Sequence, residues 1–342
     1  MESKPPDQRI GTPHKARVAH FTWMGRLLDT LAPFLGLLLI LGLFSSLPTA
    51  DGAPVRDFFL TAGNFKFIAA QTVTLAVGAL GMTLIIVSGG IDLSAGSSIA
   101  LSGVMAALTI QHGQSQNLAI LTAVLVGGLV GLINGGLIVA LRIPAFIVTL
   151  GMLAIVRGTA KWLAGEPVPL PAEAPINEWM APFPAHSWML VAPAVWIALG
   201  LALAMSLIMR QTVFGRYVFA IGSNETAAML CGVRVRLTKI LIYAAGGAFF
   251  GLAGLFQMSR LRQGDPNTAA GLELDLIAAV VIGGTTLRGG SGSILGSLLG
   301  ALVMAVLRNG SQQAGWPVHM QEIITGFVII AAVALDRLRK EA

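Results

Sequence analysis

Residues 66–88 read KFIAAQTVTLAVGALGMTLIIVS. After Lys66 no charged side chain occurs through Ser88. A helix that is apolar all round is buried in a large core or in a bilayer. About 20 such residues cross the hydrocarbon layer. Nine further stretches come near that length, at 30–48, 93–111, 118–141, 144–164, 188–209, 238–258, 272–286, 291–308 and 320–336. The eighth in chain order, 272–286, is short and runs into glycines. The 342-residue chain agrees as a whole: 55% of it is hydrophobic, 11% is charged, and its mean hydropathy is +0.79. A soluble domain carries about 25% charged residues. The fold class predicted is all-α, a polytopic transmembrane helical bundle of about ten spans surrounded by membrane lipid.

An even number of spans puts both termini on one side. Cations favour the cytoplasmic side. With the N-terminus in the cytoplasm, the inner segments hold Lys4, Arg9, Lys15, Arg17, Arg26, Arg142, Arg210, Arg216, Arg234, Arg236, Lys239, Arg288, Arg337, Arg339 and Lys340. The opposite orientation leaves only Arg56, Lys66, Arg157, Lys161, Arg260, Arg262 and Arg308 inside. Both termini are therefore expected to be cytoplasmic. The division is a tail at 1–29, a transmembrane domain at 30–336 and a tail at 337–342. Residues 31–47 resemble a secretory leader. The long polar, basic stretch before them favours a first membrane span with a cytoplasmic tail. The loop 165–187, with Glu166, Glu173 and Glu178, falls outside, and the loop 210–237 falls inside.

The net charge of +6 is spread over segment ends, which argues for membrane orientation and against nucleic acid. One cysteine, Cys231, excludes an internal disulfide, and the five histidines show no metal-ligand spacing. No Gly-Lys pair occurs, so no GxxxxGK[ST] phosphate loop exists and the chain holds no ATP site of that kind.

Glycine follows a rule. Gly127, Gly131 and Gly135 recur every four residues, as do Gly292, Gly296 and Gly300. Such spacing puts small residues on one helix face, where a neighbour can approach closely. Two breaks share a pattern: GGIDLSAGS at 89–97 and GGTTLRGGS at 283–291. Paired interruptions of this kind mark either internal repeats beside a binding site or simple tight turns. Within the inner loop, Ser223-Asn224-Glu225 is a helix cap before a short helix, Thr226–Leu230, ended by Gly232. That helix is either a docking element for a partner or an ordinary cytoplasmic loop.

Four stretches carry a resemblance: GMTLIIVSGGIDLSAGS at 81–97, IPAFIVTLG at 143–151, FGRYVFAIGSNETAAMLCGV at 214–233, and ELDLIAAVVIGGTTLRGGSGS at 273–293. In this order they resemble the ribose-type permease family of bacterial ABC importers, and with the spacing of the spans the resemblance covers about residues 30–336. The departures are mild: Ala95, Ala145, Cys231 and Thr286 stand where the family often has valine, proline, serine and serine.

The resemblance implies a multi-pass protein of the bacterial inner membrane that moves a sugar or similar small polar solute inward and is not itself an enzyme. It implies three partners: an ABC ATPase subunit that binds ATP and Mg2+, a periplasmic solute-binding protein, and a second permease copy or a paralogue. No cofactor is implied in this chain. It also implies that Gly215, Arg216, Gly222, Asn224, Glu225, Ala227, Ala228 and Gly232 couple the ATPase to the spans.

Pathway or gate candidates are Gly89, Gly90, Asp92, Ser94, Asn134, Thr149, Glu273, Asp275, Thr285 and Thr286. A carboxylate near the membrane needs a partner or water. Asp92 is then a gate residue, a cap on the third span, or both. Glu273 and Asp275 are open to a helix-dipole reading as well. Asn134, Thr149, Thr285 and Thr286 line a path or glue helices together. Arg157 and Lys161, four apart, share a face and either snorkel or meet the binding protein. The alternative function is a stand-alone secondary transporter or channel. Such a carrier needs ionisable relays in its span centres, which are nearly empty of them here.

Overall fold

The computed structural model describes residues 34–47, 54–184 and 189–341. The tail at 1–29, the start of the first span, part of the outer loop at 185–187 and Ala342 lie outside the described residues. The helices are α1 (Phe34–Ser46), α2 (Arg56–Phe59), α3 (Ala62–Val87), α4 (Ala95–Gln111), α5 (Gln116–Leu141), α6 (Ala145–Leu163), α7 (Pro193–Gln211), α8 (Val213–Ser223), α9 (Glu225–Leu230), α10 (Val235–Leu261), α11 (Leu272–Ile282), α12 (Ile294–Gln313) and α13 (Val318–Glu341). Six of them, α3, α5, α6, α7, α10 and α12, are long and apolar enough to cross a membrane among the described residues. The chain is thus a polytopic helical membrane protein.

Helix α3, the stretch that opened the reading, is the central post. From Val73 to Val87 every residue is buried. Helices α10, α11, α12 and α7 wrap it. The outer helices keep exposed leucines and isoleucines instead, such as Leu125, Leu129 and Ile155, as lipid-facing surfaces require.

The glycine rule becomes backbone contact. The open faces of Gly127, Gly131 and Gly135 on α5 lie directly on α10, against Gly247, Tyr243 and Ile240. On α12, Gly296 rests on Gly283 and Gly300 on Ala279, so α11 and α12 pack with their main chains touching. Dispersion between backbones replaces the hydrophobic drive that lipid cannot supply.

Three features differ from the sequence reading. The eighth stretch is helical only over Leu272–Ile282, about 16 Å long, too short to span alone. Gly283 and Gly284 stop it, the latter in the left-handed region at φ 86°. The inner loop 210–237 holds two helices, not one. Helix α8 is capped by Thr212, whose Oγ1 accepts from the Gly215 amide at 3.2 Å. Gly215 and Gly222 are two of the coupling candidates. They lie inside α8 and serve close packing, against Met209 and Val87 respectively. The all-α class also needs one amendment. Val168–Pro169 (β1) pairs antiparallel with Gln263–Gly264 (β2) and ties the outer loop to the end of α10. The Ser259 hydroxyl donates to Ile176 O at 2.6 Å beside it.

A side chain at Gly131 would collide with the Tyr243 carbonyl, whereas Gly136 faces open space. Gly131→Val should cost roughly 3 kcal/mol or more, because backbone cannot yield as a side chain does. Gly136→Ala should be neutral or stabilising by about 0.5–1 kcal/mol. Unfolding temperatures of the two variants in detergent check the pair. Equal effects would contradict the packing account.

Candidate functional site

Where α3 stops, the chain makes the first glycine break. Gly89 takes φ 83°, and residues 89–94 run non-helically to α4. Asp92 lies in this break with 1% of its surface exposed. Its Oδ1 accepts from the Ser94 amide at 2.8 Å and from the Ser94 hydroxyl at 2.6 Å. Its Oδ2 accepts from Asn134 Nδ2 of α5 at 3.1 Å, and the same amide donates to Ser94 Oγ at 2.9 Å. Asp92 thus holds one backbone N–H just ahead of α4 and reaches no amide inside the helix. Its hydrogen-bond partners are all neutral. The two ion pairs among the described residues, Lys239–Glu225 and Arg308–Asp275, lie elsewhere.

Thr149 on α6 fastens the same break from the other side. Its hydroxyl accepts from the Leu93 amide at 3.1 Å and lies 3.3 Å from Ile91 O. Tyr243 of α10 closes the third side. Its buried hydroxyl lies against Gly90 and has no hydrogen-bond partner, as does Asn134 Oδ1. Sequence reasoning did not single out Tyr243. Its only signal there was a lone tyrosine in an apolar span.

The second glycine break docks on the first. The Gly290 amide donates to Val87 O at 2.8 Å, closing a backbone bridge between the end of α3 and the turn after α11. Gly289 faces Gly89, and Gly222 near the end of α8 faces both Val87 and Gly290. No side chain fits between these three chain segments. Thr286 holds the second turn in shape, lying 2.9 Å from Gly289 O and 3.0 Å from Ser291 Oγ. The buried Thr285 hydroxyl stands without a partner. Beside this junction opens a cavity of about 450 Å³, lined among others by Gly89, Gly90, Asn224, Lys239, Tyr243 and Arg288.

Beyond the junction, Asn224 caps α9, its Oδ1 accepting from Ala227 N at 2.9 Å. Glu225 pairs with Lys239 of α10 at 2.7 Å. Gly232, at φ 85° with nothing near it, turns the chain back into α10. Ala228 is buried against Ile221 and Val235, whereas Arg216, Ala227, Met229 and Leu230 are exposed.

The structure therefore gathers Gly89, Gly90, Asp92, Ser94, Asn134, Thr149, Thr285 and Thr286 at one end of the bundle, next to the coupling candidates. Glu273 and Asp275 lie at the end of α11 opposite Thr285 and Thr286. Glu273 lies over Gly96 with Arg157 as its charged neighbour. Asp275 is ion-paired with Arg308 of α12, a partner that sequence spacing gave no sign of. Arg157 itself donates to Pro266 O at 2.8 Å and Thr268 O at 2.6 Å, so it clamps a loop rather than snorkels.

The chain matches, over residues 64–333, the family described as branched-chain amino acid transport system / permease component. It is 38% identical to the ribose import permease protein RbsC of Escherichia coli K12 over 285 residues, 82% of this chain and 88% of that one. It is 35% identical to the L-arabinose ABC transporter permease protein AraH of Azospirillum brasilense, covering 82% of each chain. It is 34% identical to the autoinducer 2 import system permease protein LsrC of Photorhabdus laumondii, covering 89% of each. No solved structure matches. The chain belongs to this permease family: it is a transport component and a multi-pass protein of the bacterial inner membrane.

Removing the Asp92 carboxylate by Asp92→Ala takes the acceptor from the buried Ser94 donors and from one bond of the Asn134 amide. The expected cost is about 1–3 kcal/mol of stability. Asp92→Asn, which keeps the acceptor on one side, should cost less. Thermal unfolding in detergent decides it, and wild-type stability in the alanine variant would show that the network holds nothing together.

Proposed function

We propose that this chain is the membrane-spanning permease subunit of an ABC importer that carries a sugar or similar small polar solute from periplasm to cytoplasm. The relatives named for ribose, arabinose and autoinducer 2 support that solute class. In this reading the chain crosses the membrane about ten times with both ends in the cytoplasm. A separate ATPase subunit binds ATP and Mg2+, a periplasmic binding protein delivers the solute, and a second permease copy or a paralogue completes the pathway.

One observation carries the mechanism. Helix α9 presents exposed Met229 and Leu230, the latter 82% exposed, on the far side of a rigid α8 whose end rests on both glycine breaks. An apolar tip on a short capped helix suits a groove on a partner protein. Closure of the ATPase pair would push α9. Because Gly222 touches Val87 and Gly290 without an intervening side chain, the push reaches α3 and the α11–α12 turn together. The Glu225–Lys239 pair delivers it to α10 as well. The polar groups around Asp92 then change partners as the break moves, and Tyr243 and Asn134 hold unused hydrogen-bonding capacity for that alternative arrangement.

Ala227 is the sharp probe of this lever, since it is exposed, whereas a charge at Ala228 would enter the packing between α8, α9 and α10. Ala227→Arg should weaken ATPase docking by about 2 kcal/mol, roughly thirtyfold. In vesicles with the candidate ATPase and binding protein, ATP hydrolysis should continue while uptake across a sugar panel collapses. Coupled uptake at the wild-type level in that variant, or uptake by this chain alone without ATP, would overturn the assignment.

A further inference from the structure

At the opposite end of α10 from Lys239 lies a second, smaller cavity, about 100 Å³, roughly the space of three waters. Gln71 and Thr74 of α3, Gln257 and Arg260 of α10, and Arg308 of α12 wall it. Its groups are donors in excess. A guanidinium carries five N–H groups. Arg308 donates to Asp275, and Arg260 makes one hydrogen bond, to Gln257 Oε1 at 3.0 Å. Thr74 of α3 borders the same space, with its hydroxyl buried and without a partner.

The charges are also unbalanced. Asp275 neutralises Arg308. Arg260 has no carboxylate among its hydrogen-bond or ion-pair partners, and its charged neighbour is Arg308, of like sign. Two guanidiniums beside one carboxylate leave one positive charge facing a cavity. Among the other outer cations, Arg157 clamps the 266–268 backbone and Lys66 lies over the Phe183 ring at 5.6 Å. Arg260, exposed at the end of α10, bonds only to Gln257. A neutral hydroxyl would accept its hydrogen bonds and leave its charge uncompensated. A carboxylate accepts two parallel N–H bonds and cancels the charge.

We propose that this cavity receives the carboxylate group of a small polyhydroxylated solute whose remaining atoms lie outside it, so that the chain takes a sugar acid, with Arg260 as the residue that selects it. Gln71, at the cavity wall, then meets a neighbouring hydroxyl. That the ligand is cargo rests on the importer reading above. That the cavity binds a carboxylate does not.

The test is binding to the full-length permease in phosphatidylcholine nanodiscs, read as a shift in unfolding temperature, with gluconate, glucose and sodium chloride at matched ionic strength. Gluconate should raise the unfolding temperature, and glucose and chloride should not. Arg260→Gln should weaken gluconate binding at least tenfold. Arg260→Lys should keep the charge, lose the fork and fall between. Arg262→Gln, a neighbouring cation outside the cavity, should bind as the wild type does. No shift with gluconate, an equal shift with glucose or chloride, or undiminished binding by Arg260→Gln each overturns the proposal. A parallel set in phosphatidylglycerol nanodiscs identifies a lipid headgroup. Stabilisation by that lipid that depends on Arg260, with no response to gluconate, overturns the solute site in favour of a lipid site. ATP-dependent uptake is measured separately, so gluconate binding without coupled uptake would sink the importer reading and leave the subsite standing.

Discussion

The backbone bridge from the Gly290 amide to Val87 O is the constraint on which the rest of this bundle depends. A helix that ends inside a membrane protein leaves its last carbonyls unpaired, and lipid offers them nothing. Helix α3 ends at Val87, in the fully buried part of the molecule. Its final carbonyl must therefore be met by another chain segment, and the turn after α11 meets it. That requirement explains why two separated breaks have similar sequences. Each turn leaves free main-chain groups, and glycines let the two turns approach until those groups pair. It also explains why Gly222 lies inside α8: a Cβ there would fall on Val87 O and break the bridge.

The Asp92 cluster answers a second demand from the same break. The amides of Ser88, Gly89 and Gly90 still bond back to α3, but those of Leu93 and Ser94 have no helical acceptor. The Asp92 carboxylate takes the Ser94 amide, and the Thr149 hydroxyl takes the Leu93 amide. A buried carboxylate held only by neutral donors is a costly way to satisfy a turn. Serine or asparagine would do the same local work. The extra cost is intelligible if the break has two arrangements, because a charge with spare acceptor sites can exchange partners without losing all of them at once. The free Tyr243 hydroxyl stands beside this cluster as a further donor.

Much of this was legible in the residues. The apolar run 66–88 marks α3 by length and by its lack of charge, and the four-residue glycine period marks the α5–α10 and α11–α12 contacts, because both signals are local and periodic. Asn224 was readable as a cap for the same reason. Helix α8 was not. Its glycines carried no sign of a packing role, and only the position of Val87 and Met209 shows that they are contact points. The length of α11 was misread because its glycine stop lies within an otherwise apolar stretch. Tyr243, Arg260 and Arg308 escaped notice because their meaning comes from partners far along the chain: Gly90 for the first, and each other with Asp275 for the pair.

Helix α10 gives these pieces a common frame. Its 27 residues make a rod about 40 Å long. Near its first turn Lys239 holds Glu225 of α9, and mid-helix Tyr243, Gly247 and Gly251 lock it to α5. In its last turn Arg260 faces the small outer cavity, while β2 just beyond binds the outer loop. A rod gripped along its length by main-chain contacts does not bend at one end independently of the other. In the proposed importer, a displacement of α9 that shifts Lys239 would carry along this rod to Arg260, which shares the outer cavity with residues of α3 and α12. The walls of the outer cavity come from all three helices. On the proposed reading, the lever at one face and the donor cluster at the other are two ends of one mechanical element, and motion of α9 would change the geometry of the outer cavity.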